Sequence, residues 1–199
     1  MKTLILFLTL SLLGLSSFCQ NKAIAKYPSD TLPYTYLGLG TGINNYVGII
    51  GVGADVRVYH EFFIRIGAGL GSWGGKLTGG IRYERKYTSG WGYGISYSQC
   101  SGLNDYKYDF ETVSSTLLIT KNVTMDLLKV RTINLTAFHN WVFKKKNKFY
   151  IEFGYAIPLD KDAYKLQDPT IILSDKSKSL LTTLQPGGII LSTGFMFGL

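Results

Sequence analysis

The sequence predicts an all-β protein, a single eight-stranded antiparallel up-and-down transmembrane β-barrel preceded by a cleavable signal peptide. Three observations carry this. Between Ile49 and Cys100 four consecutive stretches alternate strictly between apolar residues and glycine, charge or small polar residues, parted by only a few turn residues. Each stretch is about ten residues long, the length with which a tilted strand crosses a bilayer. All five prolines, Pro28, Pro33, Pro158, Pro169 and Pro186, fall outside the predicted strands, as expected of a residue that cannot donate to a ladder.

At the N-terminus, Met1-Lys2, an apolar run from Leu4 to Leu15 and then Ser16-Ser17-Phe18-Cys19-Gln20 form the three parts of a secretory signal peptide. Small residues at Ser17 and Cys19 place the cut after Cys19, giving a signal peptide over 1–19, a short periplasmic lead-in over 20–33 and the barrel over 34–199. Acylation of Cys19 as a lipoprotein is the competing reading, weakened by bulky Phe18 where a small residue is usual. Loss of Cys19 leaves Cys100 alone, so no disulfide framework is expected.

The strands follow in order. Tyr34 to Ile43 opens the barrel. In Ile49 to Tyr59 one face reads Ile50, Val52, Ala54, Val56, Val58, and the other Gly51, Gly53, Asp55, Arg57, Tyr59. Phe62 to Gly71 repeats the scheme, and Lys76 to Tyr87, Trp91 to Cys100, Val130 to Phe143, Phe149 to Ile157 and Gly188 to Gly198 complete the set. His60-Glu61, Thr88 to Gly90 and the lysine-rich turn Lys144 to Lys148 are short connections on one side. The long segments 101–129 and 158–187 lie on the other, with brief loops at Asn44-Asn45 and Ser72 to Gly75, the asymmetry of periplasmic turns and external loops. Within the first long segment Tyr106, Tyr108 and Phe110 alternate, which is expected to extend the barrel strands above the membrane. Ile171 to Leu173 and Leu180-Leu181 give the second enough apolar surface either to fold over the rim or to grip a partner.

Side-chain size decides which face looks outward. An eight-stranded barrel has interior room only for a packed set of side chains, which suits glycine, serine and a few paired charges, so the bulky apolar face meets lipid. Tyr87, Trp91, Trp141, Phe143, Phe149 and Phe197 then project outward close to the short turns, where an aromatic girdle is expected. Asp55, Arg57, Arg65, Arg82, Glu84, Lys86 and Glu152 all point inward at similar depth, with some water expected between the glycines above them. Four cations and three anions in one narrow, low-dielectric space must pair, because an isolated buried charge costs several kcal/mol. The expected role is a structural salt-bridge plug; a gate that rearranges to conduct is the sharper alternative.

The net charge of +8 invites a nucleic-acid reading, which fails on distribution: the lysines cluster in one turn or scatter over loops, and no aromatic-basic platform appears. No pair of histidines or cysteines has ligand spacing, so no metal or cofactor is expected. The two histidines, His60 and His139, lie near the short turns, out of reach of Ser114, Ser115, Ser174 and Ser177 in the long loops, which argues against a Ser–His enzyme.

Taken with the terminal segment Gly188 to Leu199, these features resemble the small outer-membrane β-barrel superfamily, of the outer-membrane protein A transmembrane-domain type, over essentially the whole mature chain. The motifs are generic to that architecture. One departure is the ending Phe197-Gly198-Leu199, where such barrels usually close on an aromatic residue. The resemblance implies an integral outer-membrane protein of a Gram-negative bacterium, both termini periplasmic, in contact with outer-membrane lipids and lipopolysaccharide and inserted by the barrel-assembly machinery. With the paired lumen charges, the expected role is a closed structural or surface-interaction barrel with an unknown extracellular partner, and the placement of the histidines argues against an enzyme although enzymatic barrels exist in this architecture. The alternatives are a narrow pore or a subunit of an envelope transport complex, and, further off, a lipid A-modifying enzyme.

Overall fold

Alternating side chains fold the chain into eight long strands that close on themselves. The structure, a computed structural model, describes residues 33–85, 89–114, 117–144 and 146–199. The predicted signal peptide, the lead-in up to residue 32, and Lys86 and Tyr87 lie outside the described residues. The barrel strands are β1 (Thr35–Ile43), β2 (Ile50–Tyr59), β3 (Phe62–Gly71), β4 (Gly74–Glu84), β5 (Gly90–Cys100), β8 (Val130–Phe143), β9 (Asn147–Pro158) and β11 (Gly188–Gly198). They pair antiparallel in the closed order β1-β11-β9-β8-β5-β4-β3-β2, with β11 returning to β1 so that Leu37 faces Phe197. The predicted eight-stranded antiparallel barrel is therefore the observed one. Several boundaries shift by a residue or two, and those of β9 change the reading. β9 starts at Asn147, which moves Lys148 from the expected turn into a ladder, and it ends on Pro158, at a strand terminus where a missing N–H costs little.

The two faces of this wall differ sharply. Leu37, Val52, Ile66, Ile81, Ile95, Leu135, Phe153 and Leu191, one from each strand, are exposed on the outside. Asp55, Arg65, Thr78, Arg82, Ser98, Asn134, Glu152 and Ser192 are buried inside. The charged and polar residues of the wall lie in the enclosed volume, beside a smaller aromatic cluster, and the outer face is apolar, the reverse of a water-soluble ligand-binding barrel.

The segment expected to prolong the barrel strands does something else. β6 (Leu103–Ser114) and β7 (Leu117–Leu127) form a hairpin that joins β10 (Tyr164–Leu166) in a separate three-stranded sheet, ordered β10-β7-β6. The ladder breaks at Gly102, whose φ of +77° a side chain would strain and whose Cβ position collides with the Leu127 carbonyl. From the second long segment comes α1 (Asp175–Leu184), capped by Ser174, whose Oγ accepts from the Ser177 amide at 3.2 Å. Phe110, Val123, Met125, Leu127, Leu173 and Leu181 join in a small apolar core, into which Cys100 and Val130 reach from the barrel rim. The long loops thus fold into a cap seated on one end of the barrel.

Trp73, in the β3–β4 turn, fastens the cap. Its side chain is buried in the cap core and its Nε1 donates to the Ala163 carbonyl at 3.1 Å. Trp73→Ala removes both, at a cost of about 3–5 kcal/mol for an emptied aromatic site. The expected result is that limited trypsin digestion at Lys121, Lys161 and Lys165 accelerates on the order of a hundredfold while the barrel stays intact. At the rim Arg131 clamps Asp160, with Nη2 to Oδ1 at 2.6 Å, and these hydrogen bonds hold the Asp160 carboxyl below the usual carboxylate range.

Candidate functional site

The lumen is where charge concentrates, and the inward parity of four strands decides who meets whom. β2 supplies Asp55, β3 Arg65, β4 Arg82 and Glu84, and β9 Lys148 and Glu152, each on the enclosed face. Asp55 and Arg65 are direct cross-strand partners in the β2–β3 ladder. Their side chains make a bidentate pair, Nε to Oδ1 at 2.8 Å and Nη2 to Oδ2 at 3.1 Å. Across the lumen Arg65 Nη1 donates to Glu152 Oε2 at 2.9 Å. Arg82 Nη1 reaches Asp55 Oδ2 at 2.5 Å and lies 3.8 Å from Glu84 Oε1, and Lys148 Nζ donates to Glu84 Oε2 at 2.6 Å.

Ordered by contact, the groups read Glu152, Arg65, Asp55, Arg82, Glu84, Lys148: a continuous chain in which sign alternates at every step and sums to zero. Each is at least 96% buried, so attraction between neighbours must offset the desolvation of six charges. Aromatic faces help. The Arg65 guanidinium lies 3.9 Å from the Tyr46 ring centroid, Arg82 3.5 Å from that of Phe138, and Lys148 Nζ 4.0 Å from that of Tyr36.

Of the seven charges placed in the lumen from sequence, the structure brings five together: Asp55, Arg65, Arg82, Glu84 and Glu152. Arg57 is half-buried, donates to the Pro33 carbonyl at 3.0 Å and covers the Tyr34 and Phe63 rings. Lys86 lies outside the described residues. Lys148, which sequence reading left in the lysine turn, is the missing cation. Its signal was parity: it sits two residues before Tyr150 and four before Glu152 on the same face.

Above the charges, the lumen is not the water-lined space expected from its glycines. The β1–β2 connection turns inward instead of outward. Asn44 and Gly48 take positive φ of 51° and +87°, and between them Asn45, Tyr46 and Val47 are fully or almost fully buried. The glycines make room for this insert: a Cβ at Gly53 or Gly67 would strike the Tyr46 ring, and one at Gly40 would strike Asn45 and Val47. Tyr46 and Val47 pack with Tyr36, Phe63, Tyr150 and Met196, and the Tyr46 hydroxyl donates to Met196 Sδ at 3.7 Å. Lys76 Nζ holds the insert from the far wall by donating to the Asn44 carbonyl at 3.1 Å. Beside it Thr78, Ser98 and Asn134 share hydrogen bonds of 2.7 Å. Insert and charge chain together fill the bore.

Of the predicted girdle, Trp91, Trp141, Phe143 and Phe197 are exposed on the outer face and Phe149 is half-buried there; Tyr87 lies outside the described residues. Trp141 packs on Phe149, which packs on Phe195, at 5.5 and 5.0 Å. His139 belongs to this outer cluster, edge-on between Trp91 at 4.9 Å and Trp141 at 4.4 Å, and His60 sits in the β2–β3 turn. Among the described residues no group of three or more His, Cys, Asp or Glu side chains could hold a metal ion.

No family model matches the chain, and no match is found among curated proteins or solved structures.

Proposed function

We propose that this chain is an integral outer-membrane β-barrel of a Gram-negative bacterium, with a lumen that stays closed and a folded external cap that carries its structural or surface-interaction role. The observation that carries the reading is the inversion of the wall. Every strand presents large apolar side chains on its exposed face, far beyond the few hundred Å² that a soluble monomer tolerates in one patch, while six charges fill the inside. Lipid is the solvent that suits such a surface. The aromatic cluster of Trp91, Trp141, Phe149 and Phe195 near the short-turn end suits a membrane–water interface. In this reading the short turns and both termini are periplasmic, the outer wall contacts lipids and lipopolysaccharide, and the barrel-assembly machinery inserts the chain.

A role without catalysis accords with the histidines, which stand on the outer wall and in a short turn, away from the cap serines Ser174 and Ser177. The alternative, a narrow pore or a subunit of an envelope transport complex, requires the Asn45–Val47 insert to leave the lumen and the charge chain below it to part.

Expression with the chain's own signal peptide in a Gram-negative host tests the location. The expected result is an outer-membrane protein with a heat-modifiable band on unheated SDS gels; a soluble periplasmic protein without that shift overturns the membrane reading. Planar-bilayer recording on refolded protein tests the lumen. No steady conductance is expected, and a conductance altered by Arg82→Ala would replace the closed barrel with the pore.

A further inference from the structure

The cap holds a cavity of about 110 Å³ that neither the lumen nor the membrane reading uses. It lies between the aromatic face of β6, the C-terminal half of α1 and the β3–β4 turn. On β6 the Tyr106 and Tyr108 rings stand parallel, 7° apart with centroids at 6.4 Å, and Phe110 packs beside Tyr108 at 5.0 Å. Trp73 closes the inner end, and Leu180 and Leu184 form the facing wall. Burial is graded: Trp73 and Phe110 are buried, whereas Tyr108, Leu180 and Leu184 are 47%, 41% and 43% exposed, so the cavity opens to solvent on one side.

Among the described residues, no charged side chain lines the space. Strand alternation sends Lys107 and Asp109 to the opposite face of β6. The two polar groups nearest the inner end are already engaged, Trp73 Nε1 with the Ala163 carbonyl and Ser72 Oγ with the Leu184 carbonyl at 2.7 Å. An apolar cavity of similar size, about 150 Å³ and lined by Leu, Ile and Phe, stays dry and takes up benzene. Aromatic walls add a preference for a ring in edge-to-face or offset contact, at centroid separations of about 4.5–7 Å. A charged ring would lose its hydration here with no partner in return.

We infer that this cleft is a binding site for a single uncharged aromatic ring on a small molecule. The inference rests on the cap and the β3–β4 turn beneath it, and holds whether or not the barrel crosses a membrane.

The test uses the full refolded chain with Trp91→Phe and Trp141→Phe, which leaves Trp73 as its one tryptophan and sole reporter. Titration with p-cresol is expected to change Trp73 emission saturably, with half-saturation on the order of 1 mM or tighter. Leu184→Phe places a ring of the chain's own in the cleft and is expected to weaken the response by ~10-fold or more. The charged analogue 4-methylbenzoate is expected to bind at least ~10-fold more weakly than p-cresol. Saturation transfer from the unmodified chain to p-cresol repeats the measurement without tryptophan replacements. No saturable response up to the solubility limit of p-cresol overturns the inference, as does an equal response from the Leu184→Phe chain.

Discussion

Arg65→Ala is expected to cost about 3–5 kcal/mol of unfolding free energy, because it takes the cation from buried Glu152 and leaves buried Asp55 with Arg82 alone. Arg65 bridges Asp55 and Glu152 and lies against the Tyr46 ring, so one truncation severs the charge chain and removes the floor under the insert. Arg82 cannot take over both anions, since it already holds Asp55 and its guanidinium is pinned on Phe138. Urea unfolding of the refolded barrel, read on heat-modifiable gel bands, measures the cost. A loss below about 1 kcal/mol would mean that water screens the layer as it screens a surface pair. Arg57→Ala makes the internal comparison: half-buried and with part of its side chain in solvent, it is expected to cost less than Arg65→Ala, about 1–2 kcal/mol.

Gly53→Val is expected to destabilise the barrel by about 1–3 kcal/mol, and Tyr46→Ala in the same chain is expected to relieve much of that loss. The reason is spatial. Gly53 faces Gly67 across the β2–β3 ladder, and the Tyr46 ring occupies the hollow that these two missing side chains leave. Tyr46→Ala alone empties the hollow and is itself destabilising, so the double-mutant cycle carries the information: the pair should cost less than the sum of the singles. Strict additivity would place Tyr46 outside the bore and reopen the question of a water-filled upper lumen.

The eight barrel strands were legible because a two-residue period needs no knowledge of what packs against it. The same parity placed Asp55, Arg65, Arg82, Glu84 and Glu152 inside. It failed at Lys148 only because four lysines between Lys144 and Lys148 look like a solvated turn, which concealed that the last of them shares the face of Tyr150 and Glu152. The insert was less accessible. Its positive signal is negative space: Gly40, Gly53 and Gly67 leave a void that a close-packed interior must fill, and nothing local marks Asn45, Tyr46 and Val47 as the fillers. The cap was opaque for a different reason. Tyr106, Tyr108 and Phe110 alternate as a barrel strand would, and whether a strand continues a ladder or departs from it turns on the break at Gly102 and on contacts with Trp73 and α1 far along the chain.

The alternating charge chain has a mechanical meaning. In the ring of eight strands β3 and β9 stand on opposite sides, so the Arg65–Glu152 bond spans a diameter, and the Glu84–Lys148 bond braces β4 against β9 beside it. Backbone ladders join each strand only to its neighbours and let a cylinder flatten into an ellipse; a strut across the bore does not. The four charges of β2 to β4 balance among themselves, so what β9 adds with Glu152 and Lys148 is the pair of bonds across the bore, and the roundness of the barrel depends on one strand far along the chain from those it braces.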